Sequence, residues 1–179
     1  RLLELVEEAE SEDRKVIVFS FFLDTIRKVT MLLGNRCTNP INGSVTPQRR
    51  QEIIDEFDKA PAGTVLVAQI QSGGTGLNIQ SASVVVLCEP QFKPSIENQA
   101  ISRAYRMGQT RNVLVYRLLC EGTVDEKIMS TLESKQAIFD AFADKSVAAA
   151  ESQQIDDRTF GNIIKEEIDR INAKYGNTK

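Results

Sequence analysis

Four short apolar runs stand out along the chain: Val16–Phe19, Val65–Ala68, Val84–Leu87 and Val113–Leu119. They are continuous and rich in β-branched residues, with no polar–apolar alternation, as strands covered on both faces read. Between them the apolar spacing turns helical. Phe22, Ile26, Val29 and Leu33 fall on one stripe, and Gly34 follows where a helix C-cap belongs. Thr46-Pro47 is an N-cap with proline at the first helical position, ahead of inward-facing Ile53, Ile54 and Phe57. Pro94-Ser95 opens another helix, and Thr123-Val124-Asp125-Glu126 has the form of a capping box ahead of Ile128 and Leu132.

Strand alternating with helix predicts an α/β fold with a mostly parallel central sheet and helices on both faces. In such sheets ligands sit beyond the carboxyl ends of the strands. Those ends carry Ser20, the loop Gln69–Gly76, Glu89-Pro90 and the turn after Leu119. Residues 1–143 read as the folded lobe. The stretch 144–157 is rich in Ala, Ser and Gln and reads as a linker. In 158–179, Phe160, Ile163, Ile164, Ile168 and Ile171 form an amphipathic helical stripe.

Composition narrows the chemistry. The 179 residues are 41% hydrophobic and 26% charged, as in a globular domain. No apolar run approaches the roughly 20 residues of a membrane span, so no membrane partner is expected. The chain starts at Arg1 and reads as a fragment of a longer protein. There is no histidine, and the three cysteines (Cys37, Cys88, Cys120) are far apart. That pattern predicts no metal site and excludes Ser-His and Cys-His nucleophiles; reduced thiols are expected instead. The net charge of −3 argues against a general nucleic-acid binder. From Lys93 to Arg117, however, five basic residues face one acid, Glu97. A local basic face of that kind suits phosphate handling at one place.

Gln71-Ser72-Gly73-Gly74-Thr75-Gly76-Leu77-Asn78 follows the second strand run. Its glycines let backbone amides approach phosphate, although a purely structural turn has the same composition. The loop is not a P-loop, since G-x-x-x-x-G-K-[ST] is absent from the chain. It also lacks the third glycine of a dinucleotide fingerprint, where Ile79 stands. On the helix after Pro94, Gln99, Arg103 and Arg106 are at i, i+4 and i+7 and share a face. Two guanidinium groups there suit a terminal phosphate; a solvated helix face is the plainer alternative.

Taken together, these blocks resemble the second motor lobe of Swi/Snf-type DNA translocases, in the second helicase superfamily. Gln99–Gln109 reads QAISRAYRMGQ, similar to the sixth motif QAxDRAHRIGQ. Gly73–Asn78 resembles the fifth motif, GGxGLNL, and Val16–Phe21 resembles the fourth, ending F-S-x-F. Asn42-Gly43-Ser44 is similar to the DGS segment, Glu89–Pro94 to DxxWNP, and Gly122–Glu126 to the segment after the sixth motif. The blocks run in order through residues 15 to 135. Ser102 replaces the usual acid, Tyr105 the histidine, Phe92-Lys93 the Trp-Asn pair, and Gln69-Ile70-Gln71 a Ser-Thr-Lys. These departures lean toward a bacterial or archaeal branch and a cytoplasmic, nucleoid-associated location over the nucleus.

The resemblance implies a RecA-like three-layer sandwich with a C-terminal helical extension. It implies that Arg103 and Arg106 act as arginine fingers and that Gln99, Gly74, Gly76 and Asn78 line the nucleotide. Ser20, Gly43, Ser44, Gln71, Ser72 and Gly73 would meet one strand of double-stranded DNA. ATP with Mg2+ would be held mainly by the N-terminal RecA-like lobe of the same protein. Isolated, the fragment is expected to be monomeric and inactive. A strand-separating helicase of the same superfamily is the nearest alternative. A nucleotide-cofactor domain and a degenerate protein-binding lobe are more remote.

Overall fold

Leu2, Leu5, Val6 and Ala9 recur at helical spacing and form the buried stripe of α1 (Leu2–Ser11), an element outside the motif blocks described above. The chain then enters β1 (Lys15–Ser20), followed by α2 (Leu23–Leu33) and a short 3-10 turn (Gly34–Arg36). Next come α3 (Pro47–Lys59), β2 (Val65–Gln69), β3 (Ala82–Leu87), α4 (Pro94–Ala104), β4 (Leu114–Arg117) and α5 (Val124–Phe142). The computed structural model describes residues 1–72, 79–105, 110–142 and Lys165.

Every strand pairing is parallel, and the order is β2-β1-β3-β4. Successive strand residues face opposite sides of the sheet, and each side has its own helices. Val16, Val18, Val65, Val67, Val84 and Val86 share a core with the stripes of α1 and α2. Ile17, Phe19, Leu66, Ala68, Val85 and Leu87 face Ile53, Ile54 and Phe57 of α3 and Ala100 and Ala104 of α4. Continuous apolar strands thus yield the three layers expected of an α/β sandwich. Each large apolar side chain sealed in this way contributes about 1.5–3 kcal/mol.

The sequence reading needs adjusting at three places. β4 is shorter than the Val113–Leu119 run, and its residues are half-buried or exposed. Among the described residues it is an edge strand of this sheet, only partly covered on each face: Val115 packs toward α3 and α4, and Leu114 and Tyr116 toward α1 and α2. Phe22 is 56% exposed, so it caps α2 without joining the Ile26, Val29 and Leu33 stripe. At α5, the Thr123 hydroxyl accepts from Asp125 N–H at 3.3 Å, while Glu126 receives Gly122 N–H at 3.0 Å instead of the capping residue's own. The box is therefore shifted by one residue, and the Asp125 carboxylate takes Cys120 N–H at 3.0 Å. The expected caps hold elsewhere. Gly34 closes α2 at a φ of 53°, and the Thr46 hydroxyl accepts from Arg49 N–H at 3.3 Å.

Two compact units emerge, Arg1–Glu89 with Ser95–Leu118, and Pro90–Pro94 with Leu119–Lys179. The four-stranded sheet and α1 to α4 belong to the first apart from Pro94, and α5 to the second. The expected linker and C-terminal helix lie outside the described residues, Lys165 excepted. Among the described residues, no helix is long and apolar enough to cross a membrane.

Candidate functional site

The strand order reverses between β1 and β3, so the crevice at their carboxyl ends is the topological switch point of the sheet. Glu89 sits there just beyond β3. Its carboxylate accepts the Ser20 hydroxyl at 3.1 Å and the Phe21 amide. Ser20 is buried, and its oxygen also accepts Phe22 N–H at 3.1 Å. Ser20 therefore braces the turn after β1 from beneath.

Next to this turn, the segment after residue 37 runs along the outer edge of β2. Ile41 N–H donates to Val67 O at 2.9 Å and Gln69 N–H to Ile41 O at 2.7 Å. That pairing brings Asn42-Gly43-Ser44 to the carboxyl end of β2. Asn42 Oδ1 takes both the amide of Ser44 at 2.9 Å and its hydroxyl at 2.6 Å, an Asx turn. Gly43 N–H donates to Gln69 Oε1 at 3.3 Å, and Ser72 Oγ donates to the same oxygen at 2.8 Å. Gly43, Ser44 and Ser72 are thus brought together, with these donors engaged internally. Gln71 differs: it is exposed, and its carboxamide has no partner among the described residues.

The sequence reading passed over the two residues that hold this shelf. Gln69 bonds to Gly43, to Ser72 and, through Nε2 at 3.2 Å, to Phe21 O. Arg50 reaches up from α3 to Val45 O (2.9 Å), Ser72 O (2.9 Å) and Asn42 O (3.3 Å). Lone polar residues without a motif carry no such signal. Their partners are backbone carbonyls and amides distant in sequence.

On α4, Glu97, Ala100, Arg103 and Ala104 form the buried side, while Gln99 is exposed. Arg103 therefore does not share a solvent face with Gln99, despite the spacing. Only 8% of Arg103 remains exposed, and its Nη1 has no hydrogen-bond partner among the described residues. Burial pushes its pKa down, and no nearby carboxylate counters that shift. The Arg103 carbonyl accepts Ile79 N–H at 3.1 Å, which ties the far end of the glycine segment to the end of α4. Gly73, Gly74, Gly76, Asn78 and Arg106 lie outside the described residues.

The basic run from Lys93 to Arg117 does not form one face. Arg117 pairs at 2.7 Å with buried Glu97, and Arg111 pairs at 3.0 Å with Asp13 at the opposite end of the sheet. Two of the thiols are held protonated. Burial raises Cys37 to about 11, and burial assisted by Glu89 raises Cys88 to about 12. Among the described residues, no cluster of three acids or cysteines could hold a metal ion.

A parallel sheet sandwiched by helices, with a glycine segment after one strand and a buried arginine at the end of the next helix, defines one lobe of a RecA-like ATPase core. Residues 1–108 match the helicase conserved C-terminal domain. The chain is 34% identical over 143 residues to a putative ATP-dependent helicase/translocase, YwqA, of Bacillus subtilis, covering 78% of this chain and 15% of that protein. The C-terminal part of the Fun30 ATPase domain superposes with a TM-score of 0.67 at 29% identity, over 73% of this chain and 43% of that one. The Sulfolobus solfataricus SWI2/SNF2 ATPase core in complex with double-stranded DNA superposes at 0.62 with 32% identity, over 79% and 30%. The chain belongs to the helicase C-terminal domain family, as the C-terminal lobe of a Snf2-type ATPase core. It spans 13–15% of the length of curated relatives that it matches.

Proposed function

We propose that this lobe is the second half of an ATP-driven translocase on double-stranded DNA. A first RecA-like lobe of the same protein grips most of the ATP and its Mg2+. This lobe brings Arg103 and Arg106 to the γ-phosphate, with Gln99 positioning the nucleotide and Gly74, Gly76 and Asn78 lining its side of the cleft. Gln71, Ser72 and Gly73, with Gly43 and Ser44 beside them, meet one DNA strand through its phosphates, which positions without reading sequence. Ser20 supports them from below.

The observation that carries this reading is the Arg103 side chain. A guanidinium stays protonated in proteins, and burying a charge without a counter-charge is costly. A buried cation with one nitrogen unmatched is a site awaiting an anion, and a terminal phosphate fits it in charge and donor geometry. As water attacks the γ-phosphorus and the bond to the bridging oxygen breaks, charge gathers on the γ-phosphoryl oxygens, where a guanidinium neutralises it. Lobe closure on ATP and reopening after hydrolysis then advance the duplex.

The test is ATP turnover by the full-length protein with and without double-stranded DNA. Arg103→Ala is expected to lower DNA-stimulated turnover by roughly a thousandfold or more, and Arg106→Ala likewise, with circular dichroism unchanged. Near-normal hydrolysis by either variant would remove that arginine from the mechanism. A forked duplex that stays paired while ATP is consumed separates translocation from unwinding.

A further inference from the structure

Among the described residues, the candidate DNA contacts and the turn that supports them lie on three chain segments from different parts of the fold. Residues 20–22 close β1, residues 42–45 lie along the edge of β2, and residues 71–72 follow β2. A phosphate-binding surface assembled from separate loops needs something to fix their spacing, because small misplacements weaken every contact made at once.

One carboxamide touches all three. Gln69 Oε1 accepts Gly43 N–H at 3.3 Å and Ser72 Oγ–H at 2.8 Å, and Nε2 donates to Phe21 O at 3.2 Å. The amide has one workable orientation. Reversed, its NH2 would face the Gly43 N–H, and its oxygen would face the Phe21 carbonyl. Arg50 adds a second tie, since its guanidinium binds carbonyls of Asn42, Val45 and Ser72. Ser72 receives both: its hydroxyl donates to Gln69, and its carbonyl accepts from Arg50. Ser72 is also the neighbour of Gln71, the exposed residue whose carboxamide has no partner among the described residues.

The geometry points to Gln69 and Arg50 as a positioning pair that locks residues 20–22, 42–45 and 71–72 into one rigid shelf and so presents Gln71 to a DNA strand. The inference rests on the proposed DNA-translocase function. Neither residue touches DNA in this role. Both act through the loops they hold, so their loss weakens DNA binding more than nucleotide binding.

The experiment is DNA-stimulated ATP hydrolysis by the full-length protein, titrated with a double-stranded oligonucleotide, for wild type, Gln69→Ala, Gln69→Met and Arg50→Lys. Methionine keeps the length and volume of glutamine without its hydrogen bonds. In each variant the DNA concentration giving half-maximal stimulation is expected to rise roughly tenfold, the loss of two or three modest hydrogen bonds, while the KM for ATP moves by less than about twofold. Wild-type DNA dependence in Gln69→Ala overturns the inference. Recovery by Gln69→Met also overturns it, because packing and not hydrogen bonding would then be the cause. A KM for ATP that rises in step with the DNA requirement does the same, by showing general damage. A wild-type protein indifferent to DNA fails differently, taking down the translocase reading and the shelf with it.

Discussion

Gly63 occupies a place that no other residue can fill without strain. Its φ is 76°, its amide donates to Arg14 O at 2.8 Å, and a Cβ there would lie 2.8 Å from Glu10 Cβ of α1. Gly63→Ala is therefore expected to cost about 2 kcal/mol through backbone strain alone, a melting-point drop of about 5 °C in calorimetry. An unchanged midpoint would mean that the backbone at residue 63 relaxes out of the left-handed region and that α1 yields at Glu10. Nothing in the sequence marks this glycine, because the clash involves a residue more than fifty positions earlier. Arg103 was marked as a candidate by its neighbours in the QAISRAYRMGQ block, yet its burial was not legible. Helical spacing tells which residues share a side, and only the packing of α4 against the sheet tells which side is inward.

Local chemistry made the elements largely legible. The four apolar runs became the four strands, and the Thr46-Pro47 and Gly34 signals set helix ends where expected. Thr46→Ala removes the side-chain acceptor for Arg49 N–H and should destabilise the fold by about 1 kcal/mol. Denaturant titration would show this as a lower midpoint at constant slope; a changed slope would point to disruption wider than one cap. α3 is worth such scrutiny because Arg50 projects from its first turn, so a frayed start would loosen the shelf. β4 was misjudged because an apolar run cannot reveal whether another strand lies beyond it. Gln69 and Arg50 were missed for a related reason. They join segments that are close only after β1 and β2 have paired in parallel.

At the scale of the whole molecule, the parallel sheet explains why this lobe was recognisable from scattered blocks. Among the described residues, the motif blocks stand at or near the ends of strands and helices; the topology sets the ends of β1 and β2 side by side, and Ile79 bonds to the end of α4. Strand order has another consequence. The first strand of this sheet to be made is one of its two inner strands, so β1 leaves the ribosome with both edges bare and has no partner in the sheet until Val65–Gln69 is synthesised. Its second edge waits longer, until Ala82–Leu87 has followed. At about 5–20 residues per second in translation, that exposure lasts some seconds, time enough for an apolar strand to find a wrong neighbour. Nascent chains arrested with Gln69 just clear of the exit tunnel should be cut readily within Val16–Phe19 by a protease and held by a chaperone. Chains arrested after Arg117 has emerged should resist. Protection already complete at the earlier arrest would mean that β1 and β2 suffice as a folding unit. Otherwise the burden of making this lobe falls on the cell's chaperones during the few seconds before β3 arrives.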